Sequence, residues 1–162
     1  MKNATLILVL ATILGVALLL FPLRGSAMNT AEVPRGIRNN NPGNIRAFGI
    51  AWQGQTGSDG EYAIFSAPVW GIRAMALNLK TYFSRYNLNT IRTIINRWAP
   101  PTENLTDKYA SSVSQRTGLG LDEKLDYNRD VSALIDAIIY HENGVQPYSS
   151  SLISDAIARA RL

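Results

Sequence analysis

The chain has 162 residues, no cysteine and a formal charge of +4, with a pI near 9.6. That length supports one domain with its own core, and the lack of cysteine excludes disulfides and thiolate chemistry. The mild basic excess favours anionic surfaces such as phospholipid or cell-wall polymer, whereas the absence of a dense Lys/Arg run argues against nucleic acid as a partner.

The first segment is the plainest. Ala4 to Phe21, "ATLILVLATILGVALLLF", is uncharged and almost wholly apolar. As a helix rising about 1.5 Å per residue it spans roughly 27 Å, close to a bilayer core. Two readings stand: a transmembrane anchor over residues 1–22, or a signal peptide cut after "GSA" at Ala27. The run exceeds the roughly 7–15 apolar residues of a signal core, which favours the anchor. Lys2 and Arg24 nearly balance across it, with a leaning towards the N-terminus inside. Residues 23–34 read as a linker, and residues 35–162 as the domain.

The domain opens with "RGIRNNNPGNIRAFGIAWQGQTGSDGEYAIFSA", where Gly, Asn and Pro interrupt brief apolar runs. This pattern predicts turns and a small β-lobe, with strands near Asn44–Arg46 and Tyr62–Phe65. About five helices follow. Pro68 suits a first helical turn, and Ile72, Met75, Ala76, Leu79, Tyr82, Phe83 and Tyr86 recur at spacings of three and four. Thr90 can cap a second helix carrying Ile91, Ile94, Ile95 and Trp98, which Pro100 and Pro101 end. Asn104 can cap a third with Leu105, Tyr109 and Val113 on one side and Gly118 beyond its end. Asn128 can cap a fourth running to about Asn143, and a short fifth starts near Ser151. The expected fold is mostly α, an α+β arrangement with a small β-lobe.

On the fourth predicted helix the apolar stripe is Val131, Leu134, Ile135 and Ile138, and Glu142 falls on the same face at the C-terminal edge. A carboxylate there loses solvation and faces the negative end of the helix dipole, and both effects favour its protonated form. A protonated carboxyl in a partly apolar cleft is what a glycosidase uses to protonate a leaving oxygen. The alternative is a surface charge at a frayed helix end. His141 has no visible nucleophile to serve and reads as structural.

Several motifs resemble a family of phage-related proteins labelled virion structural proteins and regarded as cell-wall hydrolases. They are "RGIRNNNPGNIR", W-x-G, F-x-x-P-x-x-GIRA, TI-x-x-II-x-RWAPP-x-EN and Y-x-x-x-V, over roughly residues 35–120. A looser resemblance is to lysozyme-like glucosaminidases and lytic transglycosylases. "NPGNIRAFGIAWQG" looks like their hairpin, "YAIFSAPVWGIRAMALNL" like their strand and helix, and "RWAPPTENLTDKYASSV" like a later segment. Their catalytic helix usually comes first. Here "LIDAIIYHENGVQPYS" looks like it at the other end of the chain, which implies a circular permutation with Glu142 as the general acid.

The resemblance implies a membrane-tethered domain that cuts peptidoglycan glycan strands for phage entry or lysis. Its partners would be those strands, a lipid membrane through residues 4–21, and virion proteins. Its location would be a virion membrane or the bacterial inner membrane, with the domain facing the periplasm or wall. No cofactor or metal is implied. Other outcomes for the same scaffold are a non-catalytic wall-binding or virion structural protein, and a wall endopeptidase.

Asp59 and Glu61, in "GSDGEY", are candidates for a second catalytic carboxylate; the plain alternatives are a turn residue and a solvent-facing strand position. A carboxyl separation of about 5 Å would suit retention and about 6.5–9.5 Å inversion. A lytic transglycosylase manages with one Glu. Asn39, Asn40, Asn41 and Asn44 are candidates for binding sugar hydroxyls or for making turns, Asn41 and Asn44 being carried forward as substrate-binding. Arg46 could hold a muropeptide carboxylate. Among aromatic residues Trp52, Tyr109 and Tyr148 are candidate sugar platforms, while helical spacing assigns Trp70 and Trp98 to the core.

Overall fold

The computed structural model describes residues 33–49, 51–100 and 105–161. Its elements are α1 (Arg35–Arg38), β1 (Gln55–Ser58), β2 (Ala63–Phe65), α2 (Pro68–Tyr86), α3 (Ile91–Trp98), α4 (Leu105–Thr117), α5 (Tyr127–Asn143) and α6 (Ser150–Arg159). Among the described residues the protein is mostly helical, with one two-stranded antiparallel sheet. No helix among them is long and apolar enough to cross a membrane. The apolar run 4–21, nearly all of the 23–34 linker, and the proposed Asn104 cap lie outside the described residues.

The helices form where apolar spacing and capping agree. Pro68 occupies the first turn of α2, and Asn87 closes that helix in a left-handed conformation. Thr90 caps α3 in a reciprocal pair with Thr93. One start differs from expectation: the α5 cap is Asp126, whose side chain accepts from the Arg129 N–H, so Asn128 lies inside the first turn. Ser149 caps α6, which begins at Ser150, beside the expected start. Helix α1 escapes the sequence pattern because four residues cannot display a period.

The β-lobe also differs from the prediction. Asn44 has a φ of 47°, which removes it from any strand, and Arg46 makes a single isolated bridge to Tyr62. The partner of β2 is instead β1, whose Gln-Thr-Gly-Ser sequence is largely exposed and carries no apolar alternation.

Helix α5 runs through the middle of the core. Val131, Leu134, Ile135, Ile138 and Ile139 are buried along it, and it packs against α1, α2, α4 and α6. Each such aliphatic side chain, fully buried, contributes about 1.5–3 kcal/mol. The C-terminal end of α5 is therefore anchored by its own apolar face, and it emerges beside the Asn-rich segment that follows α1.

Candidate functional site

Four asparagines between α1 and the β-lobe build one wall of the site. Asn40 and Asn44 take left-handed backbone conformations, φ 51° and 47°, which asparagine tolerates better than most residues. Asn39 donates its amide to Asp59 (2.6 Å), and Asn40 donates to the Phe65 carbonyl (3.0 Å). Asn41 is fully buried. Its amide N–H groups reach the carbonyls of Ile45 and Ala63, both at 2.8 Å, and its oxygen accepts from the Ile45 N–H. The sequence candidate Asn41 is thus corrected to a turn-making residue, with its side chain spent inside the fold. Asn44 differs: its amide points at Glu142.

The second wall is the end of α5. Gly144, at φ 69°, ends the helix in the left-handed region, and its N–H bonds the Tyr140 carbonyl. One residue earlier, buried Asn143 donates to the Pro42 carbonyl (2.7 Å) and the Ile139 carbonyl (2.9 Å). This side chain ties the helix end to the turn across 101 residues of sequence. Gly36 makes the close approach possible. A Cβ there would stand 2.5 Å from the Asn143 Oδ1 and 3.0 Å from the Asn44 Oδ1. Neither amide oxygen has a hydrogen-bond partner among the described residues; both lie against the bare Gly36 backbone.

Glu142 sits half-buried between these walls. Its Oε2 accepts from the Asn44 amide and its Oε1 from the Tyr109 hydroxyl, both at 2.8 Å. The desolvation expected at the edge of an apolar face is therefore offset by two donors. Burial, and then the Glu142 charge, push the Tyr109 phenol well above its usual pKa, so it stays a proton donor. The His141 ring stacks on Tyr109 at 3.6 Å between centroids and 14° between planes. Burial lowers the His141 pKa more than neighbouring Glu142 raises it, which favours a neutral ring.

A groove of about 580 Å³ opens beside Glu142. Gly43, Asn44, Ile45, Arg46 and Tyr62 line it from the β-lobe side, Asn78 and Tyr82 from α2, and Trp98, Ala99 and Pro100 from the end of α3. Tyr82 and Trp98 meet edge to face at 6.3 Å. Trp98 is half-buried: it packs against the core, as its helical spacing implies, and it also lines this groove.

The remaining candidates divide. Arg46 lines the groove and pairs with Glu61 (2.8 Å). Asp59 does not line it. Its carboxylate takes the Arg35 guanidinium in a fork at 2.7 and 2.9 Å, the Asn39 amide and the Tyr62 N–H. These donors, Arg35 foremost, hold its pKa far below the usual carboxylate range. Glu61 is shared between Arg35 and Arg46. Both acids are thus bound up in fastening the hairpin turn to α1, which displaces them from the catalytic place considered for them. Trp52 packs against the core, and Tyr148 lines a different cavity with Arg116 and Asp136. Neither lines the Glu142 groove. Burial pushes the Tyr148 phenol up to about 12. Sequence reasoning missed Gly36, Asn78, Tyr82 and Asn143.

Chemically, the arrangement presents one carboxyl group to a groove with polar and aromatic walls. Its two oxygens are each held by a neutral donor, Oε1 by the Tyr109 hydroxyl and Oε2 by the Asn44 amide, which fixes the orientation of the carboxyl group.

No protein-family model matches the sequence. The chain is 41% identical over 154 residues to "Protein P5" of Pseudoalteromonas phage PM2, covering 92% of this chain and 91% of the relative. That name states a phage origin and no activity.

Proposed function

We propose, starting from the fact that the chain belongs to the family of protein P5 of Pseudoalteromonas phage PM2, that it is a phage wall-opening enzyme cutting the glycan backbone of peptidoglycan. The observation that carries this reading is Glu142, aimed by Asn44 and Tyr109 at the edge of a groove with Trp98 and Tyr82 in its wall. Aromatic faces stack on sugar rings, and a carboxyl group at the groove can protonate a glycosidic oxygen.

Among the described lining residues Glu142 is the one carboxylate. A single acid suits a lytic transglycosylase. Glu142 gives its proton to the leaving oxygen as the C–O bond breaks. The ionised carboxylate then takes the proton of the sugar's own hydroxyl as that oxygen bonds the anomeric carbon, and an anhydro end results. The element order supports a permuted lysozyme-like arrangement, with the β-lobe early and the Glu-bearing helix near the end. The apolar run 4–21 would hold the domain at a membrane.

A second reading is a non-catalytic wall-binding or structural protein of the virion. The kinship itself favours it, because it links the chain to a phage protein and to no activity. Incubating the detergent-solubilised full chain with purified sacculi separates these readings. Anhydro ends in the products support the transglycosylase, reducing ends a hydrolase and new amines an endopeptidase; retention without products supports the binding protein. Glu142→Gln keeps the side-chain shape and removes the proton. It is expected to lose roughly 10²-fold or more in turnover, the usual contribution of a general acid. Turnover at the wild-type level would end the assignment.

A further inference from the structure

A groove that acts on a neutral polysaccharide needs no cation, yet Arg46 stands in this one. Its side chain is 58% exposed, but it is not loose. The guanidinium is held by Glu61 at 2.8 Å and lies 5.6 Å from the centre of the Tyr62 ring. Its backbone is bridged to Tyr62. Glu61 is itself held by Arg35 at 3.2 Å, so the support does not swing away. Arg35, on the same aromatic ring at 4.5 Å, is committed to Asp59. Arg46 makes one ion pair among the described residues, and a guanidinium carries five N–H donors.

We infer that Arg46 is the specificity-determining residue of the groove and receives a carboxylate carried by the glycan substrate. This rests on the glycan-binding reading above and names its substrate class as an acidic wall glycan. A planar guanidinium pre-set by a carboxylate and an aromatic ring loses little freedom on binding, and its remaining donors match a second carboxylate. Asn44 touches Glu142, and Arg46 lies two residues on, within about 7 Å along the backbone. Arg46 attracts an anion, whereas Glu142 is the group that gives its proton to the glycosidic oxygen. The strand is therefore seated with its acidic substituent towards Arg46 and its neutral glycosidic oxygen towards Glu142. Wall glycans carry such a group in two places: on the peptide stem, or on the lactyl ether freed when that peptide is removed.

The test compares three strands of matched length: peptide-bearing wall glycan, peptide-stripped wall glycan and a chitin oligomer, which bears no carboxylate. Binding is measured with the full-length Glu142→Gln protein, and turnover with the full chain. The carboxylate-bearing strands should bind roughly 10- to 100-fold more tightly than chitin, the value of a charge-assisted hydrogen bond. That margin should shrink as salt rises. A margin on peptide-bearing strands alone places the carboxylate on the stem, and a margin on stripped strands places it on the lactyl group. Arg46→Gln should collapse the margin through KM rather than kcat, with Arg46→Lys keeping part of it. Undiminished discrimination by Arg46→Gln, or no preference by the parent protein, overturns the inference. Arg46-dependent binding without any cutting would sink the enzymatic reading and leave this one standing.

Discussion

Replacing Gly36 by alanine sets two effects of opposite sign against each other. Gly36 lies in α1, where alanine is the better helix former by about 0.5–1 kcal/mol. Propensity alone therefore predicts a more stable protein. The added methyl would stand 2.5 Å from the Asn143 Oδ1 and 3.0 Å from both the Asn41 carbonyl and the Asn44 Oδ1. Asn143 cannot simply turn aside, since its amide holds Pro42 at 2.7 Å and Ile139 at 2.9 Å. Forcing a methyl into such a place costs about 1–3 kcal/mol. Each buried hydrogen bond lost adds about 1 kcal/mol. The clash wins, with a net destabilisation of about 1–3 kcal/mol. At about 2–4 °C per kcal/mol for a chain of this size, thermal unfolding followed by circular dichroism should fall by roughly 3–10 °C. Because the same methyl crowds Asn44, which donates to Glu142, the variant should also lose glycan turnover at temperatures where it remains folded. A Tm at or above that of the parent, with turnover intact, would refute the argument that this contact sets the site.

Two further changes probe the neighbours. Tyr109→Phe removes the donor to Glu142 and keeps the ring against His141; turnover should fall about tenfold or more for a stability loss of about 1 kcal/mol. Sacculus digestion at the parent rate would remove the phenol from the mechanism. Asp59 tests the hairpin clamp through pH. Its pKa is lowered in the folded state, mainly by Arg35, so its stabilisation is present above the unfolded value of about 3.9 and is lost as pH falls below it. The Tm gap between parent and Asp59→Asn should therefore be widest near neutrality and narrow progressively below about pH 4. A gap that does not change with pH would show that the charge is not what the clamp uses.

Much of the helical part was legible in the sequence because its signals are local. A period of three to four places Ile72, Met75 and Leu79 on one face, and Thr90 announces α3 whatever surrounds it. The same locality put Glu142 at the end of an apolar stripe. The strand Gln55–Ser58 was not legible, since its polar, exposed residues are ordered by pairing with β2 and not by their own pattern. Asn41 and Asn44 are the same residue type in one short turn. One is buried and consumed by backbone groups, and the other reaches a carboxylate 98 residues away. Asp59 and Glu61, equally acidic on paper, are claimed by arginines from outside their hairpin turn. The sequence by itself determined the longer helices, most of their ends among the described residues, and the placing of one carboxylate at the edge of an apolar face. Only the tertiary structure decided which amides, phenols and cations share that carboxylate's groove, because hydrogen bonds between residues far apart in the chain depend on how whole helices pack, and no short stretch encodes that.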